Sequence, residues 1–294
     1  MALPSAEFYQ LVLSALNYLQ NDGDQFRRGY EKLNLSRDEF WLLSRFRYFP
    51  GTVAPGDFLT FGPYTSVSIY EQWLESLGVK KFAEKVEADR YRSTEAGRKL
   101  IESLYREYFN AIAKHDGVPE ADVQRLGALA DRMVAAAVRQ PEVPAPITNA
   151  ARSTFPTTDQ PWVYAERRVV AMAVFHDDAH IAAWREDGWS GPHIAVSTAL
   201  FKAADKLSDA ELRDMTARLD DKDFRSAVAA LHSGGDVSHT ADGFYQLTAS
   251  GRAARQRVED MTDRNYTLLF NTLAPAELKD LIQLLEQLRG PVAA

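Results

Sequence analysis

The amino-acid sequence predicts a mostly α-helical protein with small β ribbons, assembled from two copies of one module in a single chain. Three observations carry this. First, Arg90-Tyr-Arg-Ser-Thr-Glu-Ala-Gly97-Arg98 returns as Phe244-Tyr-Gln-Leu-Thr-Ala-Ser-Gly251-Arg252, a shift of 154 residues from Gly97 to Gly251. The same shift pairs Ser36 with Ser190, Phe58 with Leu212, Tyr70 with Phe224, Leu74 with Val228 and Leu77 with Leu231 without a gap. Second, apolar residues recur at helical spacing through most of both copies. Third, a Pro-rich stretch from Gln140 through Pro144 and Pro146 to Pro156 and Pro161 cannot continue a helix and suits a semi-rigid spacer. The expected domains are therefore 1–139 and 162–294, joined by a linker at 140–161.

Each element follows from local chemistry. Phe8, Leu11, Val12, Ala15, Leu16 and Leu19 form a helical stripe that opens the first copy, and Tyr164, Val169, Val170, Ala173 and Val174 open the second. Ser36-Arg-Asp-Glu39 has the spacing at which a hydroxyl and a carboxylate satisfy each other's exposed amides, so a helix starts there and runs through Phe40, Leu43 and Phe46. Ser208-Asp-Ala-Glu211 is a second such box before Leu212 and Met215, and Pro55-Gly-Asp57 opens the matching short helix of the first copy. Helical stripes then span Thr65 to Leu77 and Asp220 to Leu231. They stop at Gly78 and at Gly234-Gly235, after which a few residues can pair as a ribbon. Thr94 and Thr248 begin long helices. The last helix of each copy buries Leu126, Leu129 and Met133, or Leu281, Leu284 and Leu288, in a register shifted by 155. Helix, short helix, helix and ribbon is the order of a winged helix-turn-helix module.

Composition narrows the chemistry. A chain of 294 residues, 46% hydrophobic and 26% charged, is long enough for two globular domains. Without cysteine it has no disulfide, no thiolate nucleophile and no Cys-ligated zinc or iron–sulfur site. With 34 Lys and Arg against 41 Asp and Glu, the net charge of −7 excludes binding nucleic acid by overall positive charge, so any DNA contact is local. The first residues carry no basic leader and no apolar run reaches membrane-spanning length, which predicts a soluble cytoplasmic protein with no membrane partner.

Phe244 to Ala254 resembles the end of a wing running into the dimerisation helix of the MarR-like winged-helix regulators. Leu273-Ala-Pro-Ala-Glu-Leu-Lys-Asp-Leu-Ile-Gln-Leu-Leu285 resembles that family's final helix. The resemblance covers both halves, with Ser93 in the first copy where the family has an apolar residue before the Thr. Because such regulators are homodimers of single domains, the resemblance implies a tandem winged-helix pseudo-dimer within one chain. It implies as well a ligand-responsive transcriptional regulator that binds double-stranded DNA, with recognition helices in the major groove and wings in the minor groove.

The charges argue back. Asp57 to Leu74 holds two acids and no Lys or Arg, while Glu211 to Val228 holds five acids against four bases, with Asp220, Asp221 and Asp223 at the start of the second recognition helix. The first wing has Lys80, Lys81, Lys85, Arg90 and Arg92 against three acids, whereas the second has Asp236 and Asp242 and no Lys or Arg. Asp89-Arg90 matches the Asp-Arg pair that family wings carry, and the second copy has Asp242-Gly243 instead. DNA contacts are therefore expected from Lys80, Lys81, Lys85, Arg90 and Arg92, with Thr65, Ser66, Ser68 and Arg225 on the recognition helices. Solvated surface charge is the competing reading of the lysines. The alternative function is a winged-helix descendant that has lost DNA binding and serves as a small-molecule-binding or protein-interaction module.

By the resemblance, a small-molecule effector would meet Tyr18, Phe40 and Trp41 in one copy and His176, Trp184 and Trp189 in the other; core filling is the default reading of such aromatics. His176 and His180 share a helix face at i and i+4, but a zinc-hydrolase signature needs Glu where Asp177 stands. That leaves ligand contact, pH tuning and ordinary polar surface open, and no metal site is assigned. No phosphate loop, nucleophile elbow or dinucleotide fingerprint is present, and Ser190 matches the helix-capping Ser36. No catalytic residue, cofactor or enzymatic activity is expected.

Overall fold

Secondary structure follows the capping chemistry closely. The computed structural model describes residues 4–20, 29–203 and 205–288. Among these, the helices are α1 (Ser5–Leu19), α2 (Arg37–Arg45), α3 (Val67–Val79), α4 (Glu95–Ile112), α5 (Glu120–Ala137), α6 (Pro146–Ser153), α7 (Pro161–Glu186), α8 (Gly191–Lys202), α9 (Asp209–Met215), α10 (Asp221–Ser233), α11 (Ala249–Tyr266) and α12 (Pro275–Gln287). The strands are β1 (Ala83–Glu87), β2 (Arg90–Ser93), β3 (Leu207–Ser208), β4 (Val237–His239) and β5 (Phe244–Leu247). The protein is thus mostly helical with small sheets, and no described helix is long and apolar enough to cross a membrane.

Ser36 accepts the Glu39 amide at 3.1 Å and donates its own amide to the Glu39 carboxylate at 2.6 Å, which starts α2. Ser208 and Glu211 make the same box at α9, and Ser190 accepts from the His193 amide at α8. Thr94 and Thr248 accept from Gly97 and Gly251, each at 3.1 Å. Each such cap contributes about 1 kcal/mol.

The ribbons share a register as well. β5 lies between β3 and β4, with Val237 opposite Leu247 and Leu207 opposite Tyr245. In the first half, β1 pairs with β2 and a single bridge joins Val53 to Tyr91, the positions that the 154-residue shift relates to Leu207 and Tyr245.

Compactness groups the chain differently from the expected 1–139 and 162–294. One unit comprises residues 1–50, 93–179 and 263–294, and the other comprises 51–92 and 180–262. Each draws on both halves of the sequence, and the long helices α7 and α11 contribute to both. Within each unit, amphipathic helices from both halves of the sequence bury their apolar stripes together.

In the first unit, α1 buries Phe8, Leu11, Val12 and Leu19, α5 buries Val123, Leu126 and Met133, and α12 buries Leu281, Leu284 and Leu285. The segment 140–161, expected as a bare spacer, belongs to this unit. It forms α6, which buries Ile147, Thr148 and Ala151. Since Ala145 offers α6 no side-chain cap, Asp178 of α7 supplies it, accepting the Ile147 and Thr148 amides at 3.1 and 2.9 Å. A fully buried Glu166 accepts from Nε and Nη2 of Arg167, from the Tyr108 hydroxyl at 2.6 Å and from Gln20 at 3.1 Å. Burial opposes the charge on Arg167, but Glu166 outweighs it and holds the guanidinium protonated well above its ordinary range.

The second unit has a core of Val196, Leu200, Leu212, Leu219, Phe224, Leu231, Val237 and Leu247 around α8, α9, α10 and the three-stranded sheet. Here α3 packs on the 3-10 turn Pro55–Thr60 and on β1, burying Phe58, Tyr70, Leu74 and Leu77.

Candidate functional site

The helices expected to read DNA, α3 and α10, meet at their N-termini inside the second unit. Ser66, the residue that precedes α3, gives its hydroxyl to the Asp223 carboxylate at 2.5 Å and accepts the Asp220 amide at 2.9 Å. Its own amide donates to the Arg218 carbonyl at 2.9 Å, and the Ser68 hydroxyl donates to Asp220 at 2.5 Å. The Asp223 amide and the Ser68 hydroxyl hold the Asp220 carboxyl below its usual range. Two positive helix ends thus face each other and share the carboxylates that offset them.

Three of the residues expected to contact DNA are buried or half-buried. Thr65 and Ser66 are 4% and 1% exposed and lie within the protein rather than on a phosphate-facing surface, and Ser68 is half-buried with its hydroxyl committed to Asp220. Arg225 is exposed, 3.6 Å from Asp221.

The first wing keeps its lysines outward and its arginines folded back. Lys81 is exposed with φ of +65°, Lys80 is half-exposed at the end of α3, and Lys85 extends from β1 with its ammonium 5.4 Å from the Tyr91 ring. Arg90, matched by resemblance to a minor-groove contact, instead donates to the Thr52 carbonyl at 2.7 Å and lies 3.9 Å from Asp57. Arg92 pairs with Glu84 at 2.5 Å. In the second wing Lys206, outside the stretch counted from sequence, pairs with Asp242 and, with Thr240, holds its carboxyl down at about 2.

The six residues expected around an effector do not form one group. Trp184 and Trp189 belong to the second unit: Trp184 is buried and donates to the Tyr64 hydroxyl at 3.3 Å, and Trp189 packs on the core of that unit. Tyr18, Phe40, Trp41 and His176 belong to the first unit. Tyr18 lies against His115, with ring centroids 5.7 Å apart, and Phe40 stacks on Tyr30 at 5.0 Å.

The other two each lie against a neighbouring side chain. His176 stacks face to face on Tyr9 at 3.7 Å with an interplanar angle of 5°, and the Arg45 guanidinium lies over Trp41 at 4.6 Å. Asp177 is solvent-exposed by area, yet the protein packed about its carboxyl desolvates it and pushes its pKa up to about 7, with Asp178 adding to the shift and Arg45 opposing it. The Tyr9 hydroxyl is pushed up to about 12 by burial and by the Asp177 charge.

His180 has a different environment, in the second unit. The Thr262 hydroxyl donates its one proton to the Val258 carbonyl at 2.7 Å, so His180 Nδ1, 2.9 Å away, is the donor to that hydroxyl. Burial and the charges of Arg255 and Lys202 bring the imidazole down to about 4, leaving it neutral at physiological pH. Among the described residues no group of three or more His, Asp or Glu is arranged to hold a metal ion.

Sequence reading missed Asp220 and Asp223 as partners of Ser66 and Ser68 because the two pairs come from separate helices with no motif between them. The available signal was the 154-residue shift, which relates Ser66 to Asp220.

Comparison with known proteins now bears on the class. A helix-turn-helix family model matches residues 81–294, and the chain belongs to that helix-turn-helix family. Membership points to a DNA-binding regulator as the broad class. The matched span is longer than the 154-residue repeat, so it takes in parts of both halves. No curated protein and no solved structure matches the chain.

Proposed function

We propose that the protein is a MarR-like, ligand-responsive transcriptional regulator that binds double-stranded DNA, built as an intramolecular pseudo-dimer of two winged-helix copies, without enzymatic activity. The observation that best supports the pseudo-dimer in this reading is that positions related by the repeat touch their own counterparts. Ser66 meets Asp220 at a shift of 154, and Arg125 pairs with Asp280 at the 155 shift of the last helices. Contacts between a position and its equivalent are what a two-fold axis generates. A duplicated module also accounts for the matching bridge Val53–Tyr91 and ladder pair Leu207–Tyr245.

On this reading Lys80, Lys81 and Lys85 supply the phosphate contacts from the first wing. The test is a selection of bound genomic fragments at low salt, followed by anisotropy titration of the enriched duplex. K80E/K81E is expected to weaken binding at least tenfold, and unchanged affinity removes the wing from the interface.

The contact between α3 and α10 favours a second reading. A helix-turn-helix dimer places the N-terminal residues of its recognition helices in major grooves about 34 Å apart. Two N-termini joined by hydrogen bonds among Ser66, Asp220 and Asp223 do not span that distance. The second reading is a descendant that binds small molecules or proteins without DNA. Recovery of no enriched fragment at low salt selects it over the first.

A further inference from the structure

We propose that the contact between the N-termini of α3 and α10 is a releasable latch that holds the protein in a state of low affinity for DNA. The proposal rests on the DNA-binding reading above and names how that binding is restrained.

Both sides of the latch belong to the second unit, one from residues 51–92 and the other from 180–262. The Ser66 hydroxyl bridges the Asp223 carboxylate and the Asp220 amide, the Ser68 hydroxyl donates to Asp220, and the Ser66 amide donates to the Arg218 carbonyl. Close to this seam in sequence, Gly191 at the start of α8 lies directly against Pro63: a Cβ built there would come within 1.7 Å of the Pro63 carbonyl oxygen. The closed arrangement therefore depends on a few polar bonds and on a glycine.

These contacts oppose DNA in two ways. Ser66 and Ser68 stand where a recognition helix would offer hydroxyls to phosphate, and the carboxylates of Asp220 and Asp223 take those hydrogen bonds instead. The joined N-termini also fall short of the spacing of about 34 Å at which two reading helices enter successive major grooves.

Three features make the contact releasable. Its bonds are polar, so water replaces them when the helices part. The apolar faces of the two helices lie elsewhere, α3 on the Pro55–Thr60 turn and β1, and α10 on α8 and β4. Capping, finally, survives release. One oxygen of Asp220 already caps α10 by accepting the Asp223 amide at 2.8 Å, while the other accepts from Ser68. Ser66 holds the capping position of α3 with extended backbone, φ −67° and ψ 147°, yet its hydroxyl does not cap α3 because it is committed to α10. Once released, that hydroxyl can accept from the first turn of its own helix, as Ser at this position ordinarily does. One hydroxyl with two alternative sets of partners is what a two-state element requires.

The chain has no cysteine, so a pair placed at the exposed Val67 and Lys222 probes the latch without removing any of its groups. V67C/K222C bridged by a short bis-maleimide is locked closed, and the same protein capped with N-ethylmaleimide controls for the added bulk. G191A acts in the opposite sense, since its methyl group wedges α8 away from Pro63 with no change of charge. Fragment selection at low salt is run on wild type and on G191A, and anisotropy with the enriched duplex compares all four forms. The bridged form is expected to bind about tenfold more weakly than the capped control, and G191A about tenfold more tightly than wild type. Circular dichroism shows whether G191A folds, and if it does not, the comparison of bridged with capped protein decides alone. Cysteines that fail to bridge within one chain, equal affinity of bridged and capped forms, or a folded G191A no tighter than wild type overturns the latch and leaves the regulator reading standing. Absence of duplex binding by every form, G191A included, defeats that reading and the latch with it.

Discussion

At the residue scale, the most consequential side chains are those whose charge the fold opposes. Asp177 titrates near 7 in the folded protein, above its ordinary 3.8, mainly because burial disfavours the anion. Below about pH 4 both states hold the proton. As pH rises toward 7 the unfolded chain releases its proton first, so folding stability declines, and the full penalty applies above 7. D177N removes it. Discounted for the solvent that reaches this side chain, the gain at pH 8 is about 1–2 kcal/mol, and at pH 4 there is none. Denaturant midpoints of the two proteins at both pH values check this, and equal midpoints at pH 8 contradict it. His180 has the opposite sign: its pKa, lowered to about 4 by burial, makes stability fall as pH drops from 6.5 toward 4. Glu166 is the buried partner of a buried guanidinium. Its removal in E166L strands a buried guanidinium and is expected to cost about 3–5 kcal/mol, while E166L/R167M should regain most of it, by the same unfolding measurement. None of these environments was legible in the sequence, since burial of a polar residue depends on neighbours from distant helices.

At the element scale the sequence was far more informative, because caps and turns are local chemistry. Ser36-Glu39, Ser208-Glu211, Thr94 and Thr248 mark helix starts that the hydrogen bonds reproduce. The linker shows the limit. Proline spacing predicted that no helix continues through 140–161, but Pro146 is suited to the first turn of a short one, and its cap comes from Asp178 some thirty residues away. No local pattern records such a partner. Gly251 gives the sharpest test at this scale. A Cβ there would lie 1.9 Å from the Asp236 carbonyl oxygen, where the first turn of α11 lies against the backbone entering β4. That oxygen also accepts the Thr248 amide at 2.9 Å, so it cannot retreat without losing a bond. G251A is therefore expected to cost about 1–3 kcal/mol. Amide exchange should show the loss concentrated in β4, β5 and the start of α11, and a uniform or absent loss counts against this packing.

At the scale of the whole molecule, the repeat was legible as a sequence relationship and the compact units were not. Periodicity reports which face of a helix is apolar, but it does not say which other helix covers that face, and here helices from both halves share cores. Charge belongs to this scale too. With a net charge of −7 and with Thr65 and Ser66 buried, the proposed DNA complex rests on few cationic contacts, those of Lys80, Lys81 and Lys85. Each phosphate neutralised releases condensed counterions, so the logarithm of affinity should fall against the logarithm of salt with a slope of about −3 for three such contacts. Two equally engaged wings would roughly double it. The second wing has no Lys or Arg from 234 to 247, and its neighbouring Lys206 is already paired with Asp242, so it adds little to that slope. K80E/K81E should flatten the dependence to near −1. A steep slope that survives this double substitution would place the cationic surface elsewhere on the protein and remove the first wing from the account of how it meets DNA.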